Sequence, residues 1–389
     1  MVRAVVWGLL AAGALTAQAE IAPAAGSGKV LLLPGDAAAL ETGEARRDFS
    51  CTVKPVEPAL GFDLRLQAGY RAVIPWSELG GGGRLYVITR VTPVERPDRA
   101  VYLADRFLAP PVEPEAKGEV LAEGRFATGE GRYRVDWMAR DAGGRICSAH
   151  WEFAARLPDR ARGAAVPLDP DTVRTEPREL FAPEPPIGRA ERRLPRVKLL
   201  LHWAPDRPGA VTLPREEASA LVAMLRSLAR EPRIQLAGLA AFDAQQRRVL
   251  FQQEGAAAVD LASLGRALEK HTGGLVDYRQ LAGRDGGGNF LRSLAEPARG
   301  GEEPAPDAVI ILGPKVAAGD GAGRIAKPNL PHTRVFFLDW TGDLPANPWK
   351  DPITALVGAA GGRVYQIRRP ADWAAAWRGI LERLAVGLD

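Results

Sequence analysis

Two rhythms of apolar and polar positions divide this chain. From Lys29 to about Leu157 the period is two. Phe49–Val53, Gly61–Gln67 and Arg84–Val94 alternate in this way, and Val30–Leu33 is a short apolar run. In Gly61–Gln67, Phe62, Leu64 and Leu66 face one side and Asp63, Arg65 and Gln67 the other. In Arg84–Val94, Leu85, Val87 and Thr89 oppose Tyr86, Ile88 and Arg90. Gly131–Ala139 and Arg145–Phe153 flank Asp141-Ala142-Gly143-Gly144, a hairpin signal. Tyr133, Val135 and Trp137, with Ala139 able to extend the row, alternate with Arg132, Arg134, Asp136 and Met138. Short strands, Gly and Pro turns and no convincing helix predict an all-β sandwich over residues 29–157.

From Arg196 onward, strands alternate with helical periodicity. Strands are expected at Val197–Trp203, Ile234–Phe242, Asp307–Leu312, Thr333–Asp339 and Arg363–Ile367, with Arg248–Gln252 as a hairpin partner of the second. Helices are expected at Pro214–Arg230, Leu261–His271, Gly288–Arg299, Pro352–Ala360 and Trp373–Leu384. In the first, Pro214 suits the opening turn, Glu216 and Glu217 suit the helix dipole, and Leu221, Leu225 and Leu228 form the apolar face. The alternation predicts an α/β, doubly wound, mainly parallel sheet over residues 196–389. Between the two regions, residues 158–195 interleave prolines with charges and read as an extended linker.

Composition changes the picture little. Hydrophobic residues are 46% and charged residues 25% of 389, a globular balance with room for two domains. The formal net charge is only +4, and no basic run is interleaved with aromatics, so nucleic acid is not expected as a partner. The N-terminus says more. Arg3, the apolar run Ala4–Thr16 and the small-x-small triplet Ala17-Gln18-Ala19 form an export signal over residues 1–19. No later stretch is apolar enough to span a bilayer, so the expected protein is periplasmic or secreted. In that setting the two cysteines, Cys51 and Cys147, are expected to pair. The bond would close a loop of roughly 95 residues and contribute up to ~4–5 kcal/mol.

Gly131-Arg-Tyr-Arg-Val-Asp-Trp-Met-Ala-Arg-Asp-Ala-Gly-Gly-Arg145 resembles the last hairpin of bacterial immunoglobulin-like or fibronectin-type modules. That resemblance implies sandwich topology. The C-terminal half carries a broader one. Leu239-Ala-Ala-Phe-Asp243 with Arg248–Gln252 looks like a second strand and its hairpin partner. Gly286-Gly287-Gly288-Asn289-Phe290 with Ser293-Leu294 looks like a Gly-Gly-Thr-x-Leu-x-x-Ala-Leu segment. Leu356–Ile367, followed by a last helix, looks like a closing helix, Gly-Gly and strand. In this order these segments resemble a von Willebrand factor A domain.

That family is known for a metal-ion-dependent adhesion site. It uses Asp-x-Ser-x-Ser after the first strand, a Thr from the Gly-Gly-Thr loop and an Asp after the fourth strand, hard oxygens for a hard divalent ion. This chain departs at each place. The first loop is His202-Trp203-Ala204-Pro205-Asp206, the Thr position falls at about Gly288, and the fourth strand ends Ile311-Leu312-Gly313-Pro314-Lys315. No metal or other cofactor is therefore expected. His202, Trp203, Asp206, Asp243, Asp285, Asn289 and Asp339 remain as a residual polar cleft near the carboxyl ends of the strands, where such sheets bind ligands. The expectation is an exported interaction protein that binds an unknown protein partner, in the cell envelope or outside the cell, without a bridging metal. The alternative is an exported hydrolase built around His202. No Gly-x-Ser-x-Gly elbow or His-Glu-x-x-His motif supports the alternative.

Overall fold

A computed structural model describes residues 19–21, 33–79, 83–109, 117–164, 168–176, 179–185, 187–189, 193–205, 212–255, 258–271, 286–296, 304–316, 325–340 and 351–386. The expected export signal falls outside them, except for Ala19. The chain divides into two compact units.

The first unit comprises residues 1–59, 65–157 and 167–178. Its strands are β1 (Ala19–Ile21), β2 (Thr52–Leu60), β3 (Leu66–Pro75), β4 (Gly83–Pro93), β5 (Val101–Ala109), β6 (Glu119–Thr128), β7 (Gly131–Arg140), β8 (Ile146–Ala155) and β9 (Val173–Thr175). They form two antiparallel sheets, β1-β5-β4-β7-β8 and β2-β3-β6-β9. Tyr70, Ala72 and Ile74 of β3 meet Leu85, Val87, Phe107, Trp137 and Ala139 of the other sheet in one core. The Tyr70 and Trp137 rings lie 5.6 Å apart. The β7–β8 hairpin forms as expected, with Tyr133, Val135, Trp137 and Ala139 all fully buried. Cys51 and Cys147 are bonded.

Several expectations here are corrected. Gly61–Gln67 is not a strand. Its first part is a turn closed by Leu64 N–H to the Gly61 carbonyl at 3.0 Å, with Leu64 at φ +59°, and β3 starts only at Leu66. The alternation of Phe62, Leu64 and Leu66 imitated a strand across that turn. The strand expected at Phe49–Val53 is realised only at its last two residues, where β2 starts, and the bodies of β2 and β3 and all of β5 and β6 were not foreseen. Buried Asp105 breaks the apolar rhythm of β5, and its carboxylate accepts from the Tyr70 hydroxyl at 2.9 Å. A helix, α1 (Pro34–Glu41), stands where none was expected. Its Ala39 and Leu40 pack on Ile88, Met138 and Ile146, so the reverse face of the five-stranded sheet is apolar as well.

The second unit comprises residues 60–64, 158–166 and 179–389. Its strands are β10 (Arg196–His202), β11 (Gln235–Asp243), β12 (Arg248–Glu254), β13 (Ala308–Gly313), β14 (Arg334–Asp339) and β15 (Arg363–Gln366). The sheet order is β12-β11-β10-β13-β14-β15, parallel except for antiparallel β12 at one edge. The described helices are α2 (Arg215–Ala229), α3 (Leu261–Glu269), α4 (Gly286–Ala295), α5 (Pro352–Ala359) and α6 (Pro370–Ala385). Each strand and helix expected from the alternation forms within a few residues of its expected bounds.

Because strand side chains alternate between faces, Leu200, Phe242, Val309, Ile311, Val335 and Phe337 share one side, with Leu291 of α4 and Ile353 and Leu356 of α5. Leu221, Leu225 and Leu228 of α2 are buried, as their spacing requires. Trp373 and Trp377 of α6 are buried and stacked, and their indole N–H groups donate to Ser227 Oγ and Glu231 Oε2, each at 3.1 Å.

Residues 158–195, expected as an extended linker, are shared between the two units. Residues 173–175 form β9, paired with β6 in the first unit. In the second unit, Glu184 is gripped by Arg226 of α2 and by Arg230, which caps that helix, with Arg230 Nε at 2.7 Å. Proline keeps regular structure along the described part of the segment to three-residue pieces but leaves its carbonyls and carboxylates free to accept.

Candidate functional site

Counted within the second unit, the strand order is 3-2-1-4-5-6. The order reverses between the first strand, β10, and the fourth, β13. In doubly wound sheets the crevice at the carboxyl ends of those two strands is the ligand position. His202 is the last residue of β10, and Gly313-Pro314 closes β13, so both lie at the strand ends that border such a crevice.

His202 is fully buried and its ring stacks on Phe242 of β11, with centroids 5.2 Å apart. Its Nδ1 lies 2.9 Å from the Pro314 carbonyl oxygen. A carbonyl only accepts, so Nδ1 carries the hydrogen and Nε2 presents a lone pair. Nε2 has no hydrogen-bond partner among the described residues. Burial pushes the imidazole below its ordinary pKa. The Pro314 bond and the negative charges of Asp243 and Asp351 oppose that shift without overcoming it. The neutral ring thus bridges the carboxyl ends of β10 and β13. Gly313 lets it sit there. At φ +148°, a Cβ on Gly313 would fall 2.5 Å from the His202 carbonyl oxygen and 2.7 Å from its Cβ.

The surrounding carboxylates are also engaged. Asp243, at the end of β11, accepts from the backbone N–H groups of Gln245 and Gln246 at 2.8 and 2.9 Å, and His271 Nε2 lies 3.0 Å from its other oxygen. Asp339, at the end of β14, lies 2.9 Å from the Lys315 ammonium. Asp351 caps α5, accepting from Ile353 and Thr354 N–H, from the Thr354 hydroxyl and, at 3.0 Å, from Val316 N–H.

Of the residues expected to line a cleft, the structure therefore places His202, Asp243 and Asp339 at the carboxyl edge, each buried. Trp203 is nearly buried. Its backbone N–H donates to the Phe242 carbonyl at 2.8 Å, and its ring lies 6.0 Å from that of Phe181. Asn289 is exposed in the first turn of α4. Asp206 and Asp285 lie outside the described residues.

Three participants were not among the expected cleft residues: His271, Lys315 and Asp351. Asp351 carried a legible signal, an acid directly before a helix-opening proline. Lys315 follows the very loop where the resemblance places an acid, but its pairing with Asp339 is settled by the parallel register Gly313↔Asp339. Nothing local announces His271.

Among the described residues, no three His, Cys, Asp or Glu side chains converge as a metal would require. No family model matches the chain, and no curated protein matches it in sequence. No described helix is long and apolar enough to cross a membrane.

Proposed function

We propose that this is an exported protein-interaction protein whose C-terminal unit is a von Willebrand factor A-like domain without its metal-ion-dependent adhesion site. It binds its partner directly, through surface shape and apolar contact, with no bridging cation. One observation carries this reading: the polar groups at the sheet's switch point are consumed from within the chain. Lys315 holds Asp339, His271 and two backbone N–H groups hold Asp243, and Asp351 caps a helix. A hard divalent ion needs about six oxygen ligands. Here an ammonium and N–H donors stand where those ligands would have to be freed.

The element order supports the family reading. It runs from a first strand through a strand with an antiparallel partner to a closing helix, Gly361-Gly362, strand and final helix. The triplet Ala17-Gln18-Ala19 supports export, and the Cys51–Cys147 bond is compatible with an oxidising compartment.

The hydrolase alternative is supported less. A general base must reach the proton it takes, whereas the His202 ring, whose basic lone pair is on Nε2, is shut from solvent.

Calorimetric titration of the full chain with Mg²⁺, Mn²⁺ and Ca²⁺ should give no binding heat below millimolar concentration. Capture of envelope proteins on the immobilised chain should be unchanged by a chelator. Sub-millimolar binding that is lost in Asp243→Ala, or capture abolished by the chelator, would overturn the proposal.

A further inference from the structure

We propose that the Cys51–Cys147 disulfide is a thiol–disulfide exchange site, attacked at Cys51 Sγ by a small thiol or dithiol, with Cys147 leaving beside the Arg47 guanidinium. The two sulfurs differ in access. An open concavity of about 470 Å³ is walled by Phe49, Ser50, Cys51, Val73 and Pro75 among others. Cys51 forms part of its wall and is half-buried, whereas Cys147, in β8, is fully buried and contributes none of the lining. A nucleophile entering from solvent through this concavity meets Cys51.

The sulfurs also differ in charge environment. Arg47 Nη1 lies 3.1 Å from Cys147 Sγ and 3.9 Å from Cys51 Sγ. It is held there by the Ser148 and Arg46 carbonyls. An adjacent guanidinium favours a thiolate, and exchange quickens as the leaving thiol becomes more acidic. Burial of Cys147 works against its thiolate, and the guanidinium placed against that sulfur offsets it. The backbone keeps the pair together. Arg47 forms a β-bridge with Cys147, flanked by Asp48 N–H to the Ile146 carbonyl at 2.9 Å and Ser148 N–H to the Arg46 carbonyl at 3.0 Å. The charge therefore travels with the leaving sulfur.

In the first step an external thiolate forms a bond to Cys51 Sγ, the Cys51–Cys147 bond breaks, and its electron pair leaves on Cys147 Sγ. A second thiolate, or the second arm of a dithiol, then attacks the external sulfur. It expels Cys51 as thiolate and releases the oxidised thiol. Two electrons pass from the thiol to the protein, and each cysteine sulfur takes a proton from water as its own ionisation dictates. An oxidised thiol runs the sequence in reverse.

The test uses the folded full chain and millimolar glutathione, with acid quenching, maleimide labelling and peptide mass analysis at early times. The expected species carries glutathione on Cys51 and maleimide on Cys147. Arg47→Gln should slow its formation about tenfold, and Arg47→Lys should retain most of the rate, with far-ultraviolet circular dichroism confirming that both variants are folded. The wild-type adduct position needs no variant and stands as an independent readout. Glutathione on Cys147, reduction no faster than global unfolding, or an Arg47→Gln rate equal to or above wild type would overturn the proposal.

Discussion

His202 shows how one side chain can close a site that the fold leaves open. A serine or aspartate at the end of β10 would offer oxygen to a ligand. A neutral imidazole, stacked on Phe242 and donating to Pro314, keeps its lone pair buried. Its pKa is depressed by burial in the folded chain, while the unfolded chain has an ordinary histidine near ~6.5. Between the two values the unfolded state binds more protons, so stability rises with pH. The contribution is complete above about pH 6.5 and is lost as pH falls toward the folded value, at up to ~1.4 kcal/mol per pH unit. Urea unfolding measured from pH 7 to 4.5 should show this slope, and His202→Asn should flatten it. Gly313→Ala places a methyl against the His202 backbone at a φ that L-residues avoid. It should destabilise by at least ~1–3 kcal/mol, read as a lowered urea midpoint.

At the scale of elements, α2 carries both an apolar face and a polar grip. Arg226 and Arg230 are nearly buried, and Glu184 sits between them with Leu180 and Ala182 carbonyls alongside. Burial alone would raise the Glu184 carboxyl, but the guanidinium groups of Arg230 and Arg226 hold it below the ordinary carboxylate range. Removing Glu184 leaves Arg230 with Asp63, at 3.2 Å, and Arg226 with main-chain carbonyls, so two buried guanidinium groups lose the carboxylate they share. Glu184→Ala should therefore cost about 3–5 kcal/mol in urea unfolding. Arg162→Ala, which breaks an exposed pair with Asp159, should leave the midpoint unchanged. Phe181 adds an apolar contact beside this grip. It lies against Gly265 of α3 so closely that a Cβ there would approach it to 2.7 Å. The composition of residues 158–195 suggested only an extended linker, although residues 173–175 form β9. Which of its side chains are held depends on arginines more than 40 residues away in sequence.

For the whole molecule, the two cysteines stand 96 residues apart in sequence and tie β8 to the segment that opens β2. Replacing both by serine removes that closure from the unfolded ensemble and should cost about 2–5 kcal/mol, measured by denaturation of the first unit under oxidising conditions.

What the sequence determined by itself is the class of each half. Alternation of period two and of helical period is imposed by which face must leave water, and that constraint is local. It therefore revealed β4, β7, β8 and β10–β15, and helices α2–α6. It also exposed the missing oxygen ligands at His202–Asp206 and Gly313–Lys315, since a motif is a local string. It did not reveal α1 or the burial of Ile88 and Met138, because a covered outer face exists only once a helix from elsewhere lies on it. Nor did it reveal that Lys315 meets Asp339 or that His271 meets Asp243. Those pairs depend on parallel register and on chain reversals, which bring distant residues within 3 Å. Tertiary structure alone decided that the polar residues at the switch point hold one another, because a buried charge must find its partner wherever the fold places it.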